Sequence, residues 1–441
     1  MKVGCILDDD RTFFHNEYCK SNVWKKMSQL MPEKGVFPAL KREEGERVSF
    51  DKYKVCMKNL SVENQYISGR CWIYAACHFL RHEYFERYKI DLLLSQEYIA
   101  FYDLLEKANE FINYIVEHIS DSDQDRVILM KLKYPIQDAG QWDFFINIIE
   151  KYGVVPQKYM SKNIQSRSTV DIVTVLSTIL RIAACNIRKE YNLNKKEVDL
   201  NYIKKKEMSK IYCFLCGTMG EPPELIEICV QSSKDKKEKM TPREFYHSFF
   251  PTQRIKDMVP ITSLSGLGMQ IDHVYEVDCL KNMTEGRSVR YLNVGRDEFK
   301  RLILAQLNKN MPIWFGCDSR YGIDMENGIL DLNYYDTAQI GIHFPSKEES
   351  LLYNISELNH AMLFEGVRYD SDEQLTGWLV KNSYGSEKGN CGYLDMRDCW
   401  FDKFVYEAVI DRSLLSDSQI KIYESDVRLL PLWHPIGTLA D

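Results

Sequence analysis

The sequence predicts an α+β protein of two lobes, a helical half and a strand-rich half, with a long helical insertion between them. Three observations predict it. From residue 71 to about 152, apolar residues recur at helical spacing. From about 260 onward that period gives way to short runs rich in aliphatic and aromatic residues. The intervening stretch, 160 to 260, is helical in pattern and lysine-rich, broken by Gly220-Glu221-Pro222-Pro223. The domains follow as an N-terminal arm (1–60), a helical lobe (61–160), an insertion (161–260), a β-rich lobe (261–415) and a C-terminal arm (416–441).

At 441 residues the chain is long enough for a large core, and 45% hydrophobic with 27% charged residues is ordinary globular composition. A net charge of -7 gives no overall attraction to nucleic acid or an anionic membrane. Residues Met1 to Arg11 carry only a short apolar patch before Asp8-Asp9-Asp10, unlike a signal peptide. The longest apolar stretch, Ile172 to Cys185, contains Arg181 and reads as too short to span a bilayer. Thirteen scattered cysteines with no export signal imply a reducing cytoplasm and free thiols. Cys213-Phe214-Leu215-Cys216 lacks a matching second pair, so packing is expected there and no metal or cofactor is called for.

Taken in order, the first sixty residues read as an arm with some helix, broken by Pro32 and Pro38. A helix is expected from Cys71 to about Tyr88, with Arg87 and Lys89 at its negative end. A second, capped by Ser95, runs to about Ser120 on the period of Ile99, Tyr102, Leu105 and Phe111. The loop 138–143 leads to a third, Phe144 to Tyr152, stopped by Gly153, and Pro156 opens a turn. Strands are expected at Val274–Val277, Val289–Val294, Ile313–Gly316, His360–Val367 and Trp378–Asn382.

The chemistry centres on Asn64-Gln65-Tyr66-Ile67-Ser68-Gly69-Arg70-Cys71-Trp72. Cys71 is placed at a helix N-terminus, where unpaired N–H groups and the macrodipole favour a thiolate. His360 is the expected base, and Asn382, in Asn382-Ser383-Tyr384-Gly385, would orient its ring without adding charge. Gln65 and the Cys71 backbone N–H would donate to the oxyanion of a tetrahedral intermediate. A lone His in an apolar strand is usually a core residue, and a lone Gln is usually surface. Their conjunction with Cys71, in this order, points to a cysteine nucleophile.

Those residues resemble the papain-type cysteine peptidases, specifically the branch of bleomycin hydrolase and aminopeptidase C. Ser68-Gly69-Arg70-Cys71-Trp72 stands where the papain-type cysteine signature is expected, and His360 follows 289 positions later. Ser68 replaces the signature's first Cys, and the long gap resembles the insertions of this branch. Gly140-Gln141-Trp142-Asp143, Tyr152-Gly153-Val154-Val155-Pro156, Gly220-Glu221-Pro222-Pro223-Glu224 and Trp314-Phe315-Gly316-Cys317-Asp318 extend the likeness along the chain. The resemblance implies a two-lobed papain-like fold, with Gln65, Cys71, His360 and Asn382 as the catalytic set. It implies Gly140 at the loop that binds substrate backbone, with Gln141 and Trp142 beside it. Tyr384 departs from the usual Trp that shields the His–Asn hydrogen bond.

The resemblance also gives the C-terminal segment, Trp433 to Asp441, a role in place of a frayed tail. Ala440 and Asp441 are implied to lie in the chain's own cleft, where a carboxylate would pair with the free α-amino group of a peptide and block longer occupancy. Asp441 is expected to be trimmed. A cytosolic thiol aminopeptidase acting on short peptides, including bleomycin-type amides, is the resulting expectation, assembled as a homohexamer. An endopeptidase, an acyltransferase of transglutaminase type and a nucleic-acid-binding protein on the same fold are the rivals. Gln65 and Asn382 speak against the acyltransferase, and the acidic charge speaks against nucleic acid.

Overall fold

The computed structural model describes residues 4–42, 52–56, 60–194, 199–229 and 237–440, so Asp441 lies outside the described residues. The helical half is built on α1 (Cys71–Tyr88), which has apolar residues all round and is buried along nearly its whole length. It opens after Arg70 and ends at Lys89, which adopts the left-handed conformation and donates its N–H to the Phe85 carbonyl at 2.7 Å. Next comes α2 (Gln96–Glu117), where the Ser95 hydroxyl accepts from the Tyr98 N–H at 3.1 Å. α3 (Trp142–Tyr152) starts two residues before the expected Phe144 and stops at Gly153. That glycine has φ +77°, and a Cβ there would meet the Pro242 carbonyl oxygen at 2.2 Å.

Two long helices follow, α4 (Val170–Asn194) and α5 (Leu200–Met219). Ile172, Leu176, Leu180, Ile211 and Leu215 join Trp72, Phe79, Ile99 and Phe145 in a single core. Among the described residues one helix, Val170–Leu193, is long and apolar enough to cross a membrane, which corrects the shorter stretch read from sequence. Packing explains one face of it: Ile172, Leu176, Leu180, Ala183 and Ile187 lie buried against α2 and α5, while Val175 and Ile182 are exposed. The stretch is not wholly helical, because Ile226–Cys229 pairs antiparallel with Lys237–Met240 as a two-stranded ribbon.

The second half is a mixed sheet, twelve-stranded among the described residues. Its strands are β1 (Val259–Thr262), β2 (His273–Val277), β3 (Arg290–Asn293), β4 (Ile313–Cys317), β5 (His360–Tyr369), β6 (Leu375–Lys381), β7 (Tyr393–Arg397), β8 (Val405–Ile410) and β9 (Arg428–Leu430). They are ordered β9-β2-β3-β1-β8-β4-β5-β6-β7, continuing through Ile329–Leu330 and Ile323–Asp324, with Val55–Cys56 paired to β5. β4 and β5 are antiparallel, with His360 opposite Cys317 and Ala361 opposite Gly316. On one face Phe315, Phe364, Trp378 and Phe401 form a second core, Phe315 and Phe364 stacked at 3.8 Å. On the other, Trp314 joins the helical core and donates its Nε1–H to the Trp72 carbonyl at 3.2 Å. α1 therefore lies across β4 and β5, which carries its first residue to the edge where β5 begins.

The N-terminal arm holds helices Asp8–Lys20, Asn22–Lys34 and Val36–Leu40. Pro32 and Pro38 sit inside helices, contrary to the expectation that they break them. The interruption falls at Gly35, φ +90°, the residue free to take that angle.

Candidate active site

Cys71 is the first residue of α1 and is fully buried. The amides of a helix's first turn have no acceptor within the helix, so they supply a positive field and donors at the sulfur. That start is pinned from behind: Arg70 pairs with Glu97 at 2.8 Å inside the core, and its Nη2 donates to the Ser166 carbonyl at 3.0 Å. Gly69 donates its N–H to Asp138 Oδ2 at 2.9 Å, and Trp72 Nε1–H donates to the Asp138 carbonyl at 2.8 Å. Asp138 thus ties the nucleophile turn to the loop that carries Gly140.

His360 is the first residue of β5 and is buried. The next residue, Ala361, donates its backbone N–H to Cys71 Sγ at 3.3 Å, so the start of the strand that carries the base lies against the sulfur across the junction of the two halves. His360 Nε2 lies 2.9 Å from Asn382 Oδ1. Asn382 Oδ1 also accepts the Ser383 N–H at 2.8 Å, and its Nδ2 donates to Met325 Sδ, which fixes the oxygen toward the ring. An oxygen there requires Nε2 to carry the hydrogen, so Nδ1 is the basic nitrogen. Tyr384 stacks on the imidazole with centroids 5.3 Å apart and planes 17° from parallel, in the place of the shielding aromatic.

Gln65 is buried, and its Nε2 donates to the Ser68 carbonyl at 2.7 Å while its Oε1 accepts from the Ser383 hydroxyl. A primary amide has two N–H donors, so holding Ser68 leaves one for an oxyanion. The segment before it is bound to the Asn382 loop: Gln65 N–H donates to the Ser383 carbonyl at 2.8 Å, and Gly385 N–H to the Glu63 carbonyl at 3.1 Å. Ser383, unnoticed in the sequence, touches both Gln65 and Asn382; its place within Asn-Ser-Tyr-Gly was the available signal. Cys317, opposite His360, is another buried thiol. Burial first, then the charges at Asp318 and Cys71, push it well above the ordinary thiol range, so it stays protonated and is no rival nucleophile.

Gly140 and Ala440 form an antiparallel bridge: Gly140 N–H donates to the Ala440 carbonyl at 3.0 Å, and Ala440 N–H to the Gly140 carbonyl at 3.1 Å. Gln141 Nε2 donates to the Thr438 carbonyl at 3.0 Å, and Leu358 N–H to Thr438 Oγ1 at 3.1 Å. The tail is therefore laid along the Gly140 loop and reaches the residues just before His360. A Cβ on Gly140 would lie 2.4 Å from the Trp72 ring, so only glycine lets this loop lie so close to that ring. Trp142 is corrected: its ring is wholly buried, 5.3 Å from Phe79 and 6.3 Å from Trp314, and packs the core instead of walling the cleft.

The model of the Peptidase C1-like family matches residues 7–437. Aminopeptidase C of Lactococcus lactis subsp. cremoris is 30% identical over 440 residues, covering 99% of this chain and 100% of the relative. Bleomycin hydrolase of Homo sapiens is 29% identical over 402 residues, 88% of each chain. The crystal structure of PepW from Lactobacillus rhamnosis superposes with a TM-score of 0.92 at 30% identity, over 99% of this chain and all of that one.

Proposed function

This chain belongs to the Peptidase C1-like family, and from that premise we propose that it is a cysteine aminopeptidase releasing N-terminal residues from short peptides. The observation that carries the reading is the tail. Thr438 and Ala440 are hydrogen-bonded to Gln141 and Gly140, and on this reading they stand where an extended peptide would lie upstream of the cleaved bond. A substrate then fits with its first residue beside Cys71, and any further upstream residue collides with the tail. A carboxylate at the end of that segment would pair with the α-ammonium group. The names of the relatives, aminopeptidase C and bleomycin hydrolase, agree with this. A bleomycin-type amide next to a free amine suits the same site.

The steps follow from the residues in place. His360 Nδ1 takes the Cys71 proton and the thiolate attacks the carbonyl carbon. The oxyanion is held by Gln65 Nε2–H and the Cys71 N–H. His360 returns the proton to the leaving amine, the C–N bond breaks, and a thioester remains. Water then gives a proton to the same nitrogen as its oxygen adds to the thioester carbon, the C–S bond breaks, and the thiolate is released with the free amino acid. Asn382 keeps the ring aligned through both halves. No step draws on a metal or cofactor.

Cytoplasmic location and a homohexamer complete the proposal. The helix Asp8–Lys20 buries none of its residues, and Phe13, Phe14, Tyr18 and Trp24 stand exposed along the arm, a surface suited to further copies of the chain. The acidic charge goes with peptides as partners, and neither nucleic acid nor membrane is proposed as one. The test is hydrolysis of an aminoacyl fluorogenic amide beside its N-acetylated twin, each with and without a thiol alkylator. Turnover of the free-amine compound alone, abolished by alkylation, is expected; equal turnover of both would remove the aminopeptidase assignment.

A further inference from the structure

We propose that Asp318 is a positioning residue that sets His360 and the tail together, through the segment 356–359 that runs into β5. The proposal rests on the aminopeptidase reading for the tail but not for His360. Asp318 directly follows β4, and its side chain is fully buried. Its Oδ2 accepts from Ser356 Oγ at 2.7 Å, the Glu357 N–H at 3.1 Å and Arg320 Nη2 at 2.8 Å. Its Oδ1 accepts from Asn359 Nδ2, the Arg320 N–H and Arg320 Nε, each at 3.0 Å.

Three of the four residues ahead of His360 are thus bound to one carboxylate. The fourth, Leu358, gives its N–H to Thr438 Oγ1 and rests on Gly316, where a Cβ would lie 2.6 Å from its Cδ1. Asn359 adds its N–H to the Cys317 carbonyl at 3.0 Å, and its Oδ1 accepts the Ser319 N–H at 2.9 Å. Tyr406 closes the far side by donating to Ser356 Oγ at 2.6 Å. The segment has base at one end and tail in the middle, and its shape is set by a group that touches neither sulfur nor peptide.

The charge is needed as well as the shape. Burial opposes ionisation most strongly, but hydrogen bonds from Arg320 and Ser356 outweigh it and hold the Asp318 carboxyl below the usual carboxylate range. Six donors converge on two oxygens. An amide offers one acceptor oxygen and turns an NH₂ toward donors on its other side, so Asp318→Asn leaves donors facing donors.

Asp318→Asn and Thr438→Val separate this role from plain structural support. Two quantities are read, each normalised to titratable Cys71: the pH midpoint of Cys71 alkylation by iodoacetamide, and the ratio of kcat/KM for free-amine and N-acetylated amides. Asp318→Asn is expected to move the midpoint by about 0.5 unit or more and to lower the ratio about tenfold. Thr438→Val is expected to lower the ratio alone. Should Asp318→Asn not fold, Ser356→Ala, which removes one of the six donors, should shift both readings the same way by less. An Asp318 variant that keeps midpoint and ratio, or moves only one, overturns the proposal. A wild-type protein with no preference for free amines would instead overturn the aminopeptidase reading, and an unmoved midpoint would then still count against Asp318.

Discussion

Ala440 pairs with Gly140 through two backbone hydrogen bonds, so the C-terminal segment is held as a short strand against the Gly140 loop. An extended peptide would bind that loop through the same N–H and carbonyl. On the proposed reading the tail takes up the positions that an endopeptidase would leave open, without altering the nucleophile. Specificity and chemistry are therefore separable in this molecule, and substitutions should sort accordingly.

Replacing Gly140 by Ala tests the approach surface. The added methyl would sit 2.4 Å from the Trp72 ring, with the ring held by its bond to the Asp138 carbonyl. Loss of about 1–3 kcal/mol of stability is expected from such overpacking, together with weakened docking of tail and peptide. Denaturant unfolding and KM for a free-amine substrate measure the two effects.

Gln65→Ala should remove one oxyanion donor and leave the nucleophile. A fall of roughly 10²–10³ in kcat is expected, while Cys71 still reacts with iodoacetamide. A loss of alkylation along with activity would show that Gln65 mainly holds the Ser68 and Ser383 contacts together.

Acid should destabilise the fold through His78 and His82, on the helix that begins with Cys71. Both rings are buried with neither nitrogen hydrogen-bonded. Burial first, then Lys381, Arg81 and Lys162, holds His78 well below the ordinary imidazole range; burial also lowers His82, partly offset by Glu365. Each folded-state pKa lies below the unfolded one, so neutral rings cost nothing above about pH 6.5. Stability is lost as pH falls through that value, by up to about 1.4 kcal/mol per unit for each ring. His78→Phe should flatten this limb in urea unfolding followed between pH 5 and 7.5.

Glu407 predicts the opposite slope. It is buried on β8 with neither carboxyl oxygen hydrogen-bonded, and burial first, then Asp143, pushes its pKa well above the usual range. A raised folded pKa favours the fold below about pH 4.3 and penalises it progressively as pH rises. Glu407→Gln should therefore gain stability relative to wild type as pH increases from 4 to 8. A difference independent of pH would mean that the carboxyl is ionised in place.

The catalytic set was legible because each member carries a local mark. Cys71 stands at a glycine-led helix start, His360 opens an apolar strand, and Asn382 lies in a short polar turn after another. What makes them work together was not legible. Asp318 binds residues about forty positions away, Ser383 bridges to Gln65 across the whole chain, and neither spacing has a local pattern. β8 was missed because both its faces are buried, which leaves no alternation to read. Pro32 misled as well: it sits in the last turn of a helix that runs on to Lys34 and is ended by Gly35.

The central claim is that the tail, laid on Gly140, turns a general thiol peptidase into one that counts from a free amine. The most direct measurement compares full-length protein with a deletion of residues 438–441, reading kcat/KM for free-amine and N-acetylated peptides. The full chain should strongly prefer free amines, and the deletion should lose that preference while gaining cleavage of blocked peptides, with alkylation of Cys71 silencing every activity. An unchanged ratio after deletion, with both proteins active, would contradict the account.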